Sequence, residues 1–113
     1  MPLAEFFPSI GSSAQPVLRR LGGEERVRRY LLRFAEDPTY AALIAAAERG
    51  DGEGAFRAAH TLKGLSATLG LDTLYTAASA LTEQLRGGGT PDPDLLAEVS
   101  KAYNEIVGML KNL

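Results

Sequence analysis

The chain has 113 residues, 45% of them hydrophobic, and a formal net charge of -2, a length that supports one hydrophobic core and one domain. Its mixed charge gives no overall pull toward nucleic acid or an anionic membrane, so any basic contact surface must be local. Zero cysteines exclude disulfides, thiolate metal sites and cysteine nucleophiles, and packing alone must hold a fold compatible with the cytoplasm. The opening MPLAEFFPSIG has no charged leader region and no long apolar run, so no signal peptide is expected. No stretch approaches the roughly 18 consecutive apolar residues of a membrane span.

Helix signals follow one another along the chain, and strand alternation is nearly absent. Val17, Leu18 and Leu21 predict a short first helix ending at Gly22-Gly23. Val27, Tyr30, Leu31 and Phe34 recur at i, i+3, i+4, i+7, lining one helix face. Asp37-Pro38 restarts the pattern as an N-cap with proline at the first helical position, and Tyr40, Leu43, Ile44 and Ala47 carry it to Gly50; the two runs read as two helices or one kinked helix. Asp51 is placed to cap a run reaching Leu69, with Gly70 where a left-handed C-terminal residue belongs. Asp72 is expected to cap the next helix, which carries Tyr75, Ala78, Leu81 and Leu85 and stops at Gly87-Gly88-Gly89. After Pro93, residues Leu96, Val99, Tyr103, Ile106, Leu110 and Leu113 form a heptad-like seam. Short loops between amphipathic helices make antiparallel neighbours. The expected fold is therefore all-α, an up-and-down antiparallel four-helix bundle with a short N-terminal helical extension. Residues 1–23 are the N-terminal segment and short helix, and residues 24–113 the bundle, of one domain.

The stretch AAHTLKGLSATLGL, Ala58 to Leu71, holds the only histidine. At about 100° per residue, with Leu62 at zero, Ala55, Ala58, Ala59, Leu65, Ser66 and Leu69 fall within about 60° and form the buried face. His60 and Gly64 then lie about 160° away on either side of the outward direction, with Lys63 at about 100°, Ala67 at about 140° and Arg57 at about -140°. A lone surface histidine is most often only a surface residue, and a buried core histidine is opposed by the phase. A mid-helix glycine, however, costs about 1 kcal/mol relative to alanine. Because Gly64 faces outward, the reason for it is something large that approaches His60 from outside. Imidazole is a nucleophile with an ordinary pKa near about 6.5, so at neutral pH an exposed ring is mostly uncharged with a free lone pair. Phosphoryl transfer asks mainly for in-line positioning and for neutralised charge on the equatorial oxygens. Lys63 is placed for the second task, and Arg57 adds to the positive field.

The run His60-Thr61-Leu62-Lys63-Gly64, followed by Ser66 and by Leu69-Gly70, resembles the signature of histidine-containing phosphotransfer (HPt) domains of bacterial two-component phosphorelays. Leu18 to Phe34 (LRRLGGEERVRRYLLRF), Gly50-Asp51 and Leu81 to Arg86 (LTEQLR) are also similar to the family. The resemblance spans nearly the whole chain, and the H-x-x-K-G core is its specific motif. It implies a helical bundle whose exposed His60 accepts a phosphoryl group from the aspartyl phosphate of one receiver domain and passes it to another. It also implies that Lys63 steadies the phosphoryl oxygens and that Gly64 clears space for the receiver. Arg57 and Ala67 are further candidate contact residues on the same face. Nε2 is the expected attacking nitrogen, since that end of the ring points away from the backbone.

Partners implied are response-regulator receiver domains and a sensor or hybrid histidine kinase, with no resident cofactor and with Mg²⁺ supplied by the receiver. A free-standing cytoplasmic monomer is expected; the chain as a piece of a larger kinase is a further possibility. The reading from another class is a helical adaptor that docks a receiver or kinase without phosphotransfer. A metal site is opposed by a single His, no Cys and no carboxylate at i+3 or i+4 from His60. Ser66 sits mid-helix and inward, unlike a hydrolase nucleophile. The glycines at 87 to 89 lack a following Lys-Ser or Lys-Thr and read as an ordinary flexible loop, not a P-loop. Arg19, Arg20, Arg26, Arg28, Arg29 and Arg33 lack the interleaved aromatics of a nucleic-acid groove, and read as a solvated face or as part of a surface that meets acidic receivers.

Overall fold

A computed structural model describes residues 1–113 and is all-helical. It contains seven helices, α1 (Leu3–Ser9), α2 (Ala14–Leu21), α3 (Glu24–Ala35), α4 (Thr39–Glu48), α5 (Gly52–Leu69), α6 (Asp72–Leu85) and α7 (Pro93–Leu110). The all-α class expected from the periodicity is observed, with more helices than four and one extension. The pattern broken at Asp37-Pro38 is two helices, with the expected start corrected by one residue: α4 begins at Thr39 and its N-cap position is Pro38, not Asp37. Pro38 lacks an N–H and cannot continue the ladder of α3, and Asp37 Oδ1 accepts from the Thr39 N–H at 2.8 Å just ahead of the helix.

Helix α1 precedes the first helix expected at Val17 to Leu21, although Leu3, Phe6, Phe7 and Ile10 do step by i, i+3, i+4, i+7. Its seven residues are too few to be stable alone, and it exists because Leu3, Phe6 and Phe7 are fully buried. Phe6 and Phe7 meet edge-to-face at 5.2 Å. The Met1 ammonium donates to the Asn112 carbonyl at 2.6 Å, which ties the start of the chain to its end.

One cluster of buried apolar residues draws on all seven helices. Helix α5 packs against α4 on one side and α6 on the other, α6 packs against α7, and α3 reaches both α5 and α7. Of the heptad-like seam, Val99, Ile106 and Leu110 are buried on α7, Leu96 and Tyr103 pack at the edge of the core, and Leu113 packs there from beyond the helix end. Tyr103 also stacks on Tyr40 of α4 at 3.9 Å, where burial foremost, with Tyr40 and Asp37, pushes its phenol pKa up.

The expected cap at Asp72 is corrected. Asp72 is the first residue of α6, whose N-cap position is Leu71 without a side-chain bond. Its N–H donates to Ser12 Oγ at 3.0 Å, so a hydroxyl distant in sequence satisfies that helix end. The glycine loop after α6 is pinned, because Gln84 donates to the Thr90 carbonyl and accepts from the Asp92 N–H. Asp92 then caps α7 by accepting from the Leu95 N–H at 3.0 Å. No helix is long and apolar enough to cross a membrane.

Candidate functional site

Helix α5 carries the candidate residues, and both its ends are closed by local chemistry. At its start the Asp51 carboxylate accepts from the Gly54 N–H at 2.9 Å, and it lies so close over Gly54 that a Cβ there would require the carboxylate to shift. The Gly54 N–H foremost, with Arg49, holds the Asp51 carboxyl below its ordinary value against partial desolvation. At its end Gly70 is left-handed (φ 69), and Leu71 N–H bonds to Ser66 O at 2.9 Å while Gly70 N–H reaches Ala67 O at 3.4 Å. This pair is the Schellman arrangement. A Cβ on Gly70 would also strike Val17 of α2.

Between those ends the helical phase is as expected. Ala55, Ala58, Ala59, Leu62, Ser66 and Leu69 are buried, and Ser66 Oγ donates back to the Leu62 carbonyl at 2.7 Å. Leu65, at the edge of the expected buried face, is half-buried. His60, Gly64, Ala67 and Arg57 are exposed and Lys63 is half-buried. Apart from its chain neighbours and the backbone of its own helix, nothing lies within 4 Å of where a Gly64 Cβ would stand, so no packed neighbour requires a glycine there.

The two flanks of this face differ. On the α6 side, the Phe56 ring lies 6.1 Å from the His60 ring with planes 29° apart. Arg86 sits 5.5 Å from the Phe56 ring centre and grips Glu83 with Nε at 3.2 Å from both carboxylate oxygens and Nη2 at 2.9 Å. This grip holds the Glu83 carboxyl below its ordinary value, with Lys63 acting in the same direction. Lys63 enters none of the chain's ion pairs.

On the α3 side, a groove of about 350 Å³ is lined by Tyr30, Arg33 and Phe34 facing Gly64, Leu65 and Thr68. Arg29 and Arg33 each lie 5.8 Å from the Tyr30 ring centre and neither is ion-paired. Arg29 and Arg33 thus make this edge of the face locally basic on a chain of formal net charge -2.

Arg57 contributes less to the field around His60 than its charge alone implies, since it pairs with Glu53 at 2.7 Å. Ala67 lies one turn beyond Gly64, and its carbonyl accepts from Arg20 of α2 at 3.0 Å. The structure adds Phe56, Glu83 and Arg86 to the surroundings of His60. Phe56 was readable at i-4 from His60; the approach of Arg86, thirty residues on, was not. No three His, Cys, Asp or Glu side chains converge as a metal site needs.

The arrangement is one imidazole open to a partner, with a lysine free of ion pairs nearby, an empty space one turn on and a basic apolar groove beside it. Comparison with curated proteins and with solved structures gives no match. The family model described as Hpt domain matches residues 28–112, a span that includes the face just described, and the chain belongs to the Hpt domain family.

Proposed function

We propose that this chain is a phosphorelay phosphotransfer protein in which His60 takes a phosphoryl group from the aspartyl phosphate of one receiver domain and gives it to the aspartate of another. Hpt domains act with receivers and kinases in phosphorelays. The observation that carries the residue assignment is that the single histidine is exposed on α5 beside open space at Gly64. On this reading α5, α6, α7 and the α3–α4 pair are the up-and-down four-helix bundle of one domain, and α1 and α2 are its extension. The protein works as a cytoplasmic monomer of a bacterial two-component system.

In the transfer, the Nε2 lone pair of neutral His60 attacks phosphorus in line with the bond to the aspartyl oxygen. The N–P bond forms as the P–O bond breaks, the aspartate leaves as a carboxylate, and the ring keeps its Nδ1 proton and carries the positive charge. Total charge is unchanged and no proton is released. Lys63 places its ammonium against the equatorial oxygens, where charge must be neutralised. Gly64 admits the receiver's pocket rim, Ala67 continues the cleared strip, and Arg57 is a peripheral contact whose charge Glu53 shares. Arg29 and Arg33 beside the apolar groove suit an acidic partner surface. Mg²⁺ belongs to the receiver's aspartate pocket.

The test is labelling. ATP and Mg²⁺ alone should leave the protein unlabelled, and a phosphorylated receiver should label it. His60→Gln should stay folded and still bind the receiver but take no label; Lys63→Ala should retain slower transfer. A His60→Gln protein that labels normally assigns the acceptor elsewhere, and a wild-type protein that binds receivers without ever being labelled is an adaptor.

A further inference from the structure

An exposed imidazole on a helix is free to sample several rotamers, yet in-line attack needs one orientation. Long side chains on a helix lean toward its N-terminus, and His60 accordingly lies over Phe56, one turn back, with ring centres 6.1 Å apart and planes 29° from parallel. Phe56 is half-buried and meets Arg86 from the end of α6, whose guanidinium carbon is 5.5 Å from the ring centre. Arg86 is itself fixed by both carboxylate oxygens of Glu83. A planar guanidinium paired with a carboxylate is restricted in the way a lysine ammonium is not, so Phe56 has an oriented neighbour on the adjoining helix.

We propose that Phe56 is a positioning residue for the His60 imidazole, and that Arg86, anchored on Glu83, holds the Phe56 ring in place, so that α6 orients the nucleophile carried by α5. The proposal rests on the reading of His60 as phosphoacceptor. Neither residue touches the transferred group. An aromatic pair and a cation over a ring each bias orientation by roughly two- to ten-fold, and the effect belongs in the rate of the chemical step, not in receiver affinity.

The chain's single histidine makes the test direct, because its ring protons are one set of NMR signals that carry a ring-current shift from Phe56. The variants are Phe56→Leu, Phe56→Tyr and Arg86→Ala. Each is measured for His60 ring shifts, for thermal melting, and for transfer from a receiver domain charged with acetyl phosphate and shown to label the wild-type chain. Phe56→Leu should move the His60 signals toward those of an unstacked histidine and lower the rate at saturating receiver by roughly three- to ten-fold with an unchanged half-saturating concentration. Phe56→Tyr keeps the ring and should keep both properties. Arg86→Ala is a surface change that leaves the core intact, and it should weaken both in part. Unchanged His60 shifts in Phe56→Leu, or a rate loss confined to half-saturation, would overturn the role of Phe56. Unchanged shifts in Arg86→Ala would overturn the anchor. Where no receiver labels the wild-type chain, the phosphotransfer reading fails, and the ring shifts still judge the stack by themselves.

Discussion

Arg20 Nη2 lies 2.8 Å from the carbonyl oxygen of Thr68 and 3.0 Å from that of Ala67. A cation from α2 thus closes the C-terminal end of α5: it pairs the Thr68 carbonyl, which has no backbone partner, joins the Gly70 N–H on the Ala67 carbonyl, and opposes the negative end of the helix dipole. Arg20→Ala should lower the melting temperature by a few degrees and leave the saturating transfer rate of the folded protein unchanged, because His60 lies two turns away. Melting curves paired with transfer kinetics check this; a slower transfer with an unchanged melt would place Arg20 in the transfer face instead.

The family match begins at residue 28, but Leu3, Phe6, Phe7, Ile10, Val17 and Val27 precede it and are buried in the common core. Phe6→Ala should cost about 3 to 5 kcal/mol. The chain cut to residues 28–112 loses all six side chains, each worth about 1.5 to 3 kcal/mol, against a total stability of about 5 to 15 kcal/mol. It should show no cooperative unfolding transition in urea. A cooperative transition like that of the whole chain would show that α1 and α2 are dispensable.

Acid should weaken the start of α5. The depressed carboxyl pKa of Asp51 means that its contribution is complete above the ordinary unfolded value of 3.8 and is lost as pH falls through the lower folded value. Asp51→Asn keeps an oxygen that accepts from the Gly54 N–H, so it should melt close to wild type at neutral pH and lose less on acidification to about pH 3. Asp51→Ala should melt lower already at neutral pH. Melts of the three proteins at both pH values decide it.

Stability and transfer should separate at Gly64. A Cβ there meets nothing within 4 Å, so Gly64→Ala should gain up to about 1 kcal/mol from helix propensity alone. Gly64→Leu should melt no lower than wild type and transfer much more slowly, since its side chain fills the space a receiver needs in front of His60. A Leu variant that melts low and transfers at full rate would make Gly64 a packing residue.

Much of α5 is legible in the sequence, because its determinants are local. Asp51, Gly70 and the period of Ala55, Ala59, Leu62, Ser66 and Leu69 act within one helix, where neighbours in space are three or four residues apart. The outward placement of His60 and Gly64 follows from the same periodicity. The motif around His60 also sufficed for the family, since H-x-x-K-G is contiguous on a single helix.

What the tertiary structure decided are the contacts whose partners are far apart in the chain. Leu3, Phe6, Phe7 and Ile10 keep the i, i+3, i+4, i+7 spacing of a helix face, but seven residues holding Pro8 are too few to hold a helix alone, and α1 is helical because burial of Phe6 and Phe7 stabilises it from outside. The cap on α6 comes from Ser12, sixty residues away, and the groove beside Gly64 exists only once α3 lies along α5. Arg86 meets Phe56 for the same reason, across the α5–α6 pair. Local periodicity determined the longer helices and which face of α5 looks outward; packing between helices stabilised α1 and determined what stands beside His60, because it alone brings residues thirty or sixty positions apart within contact distance.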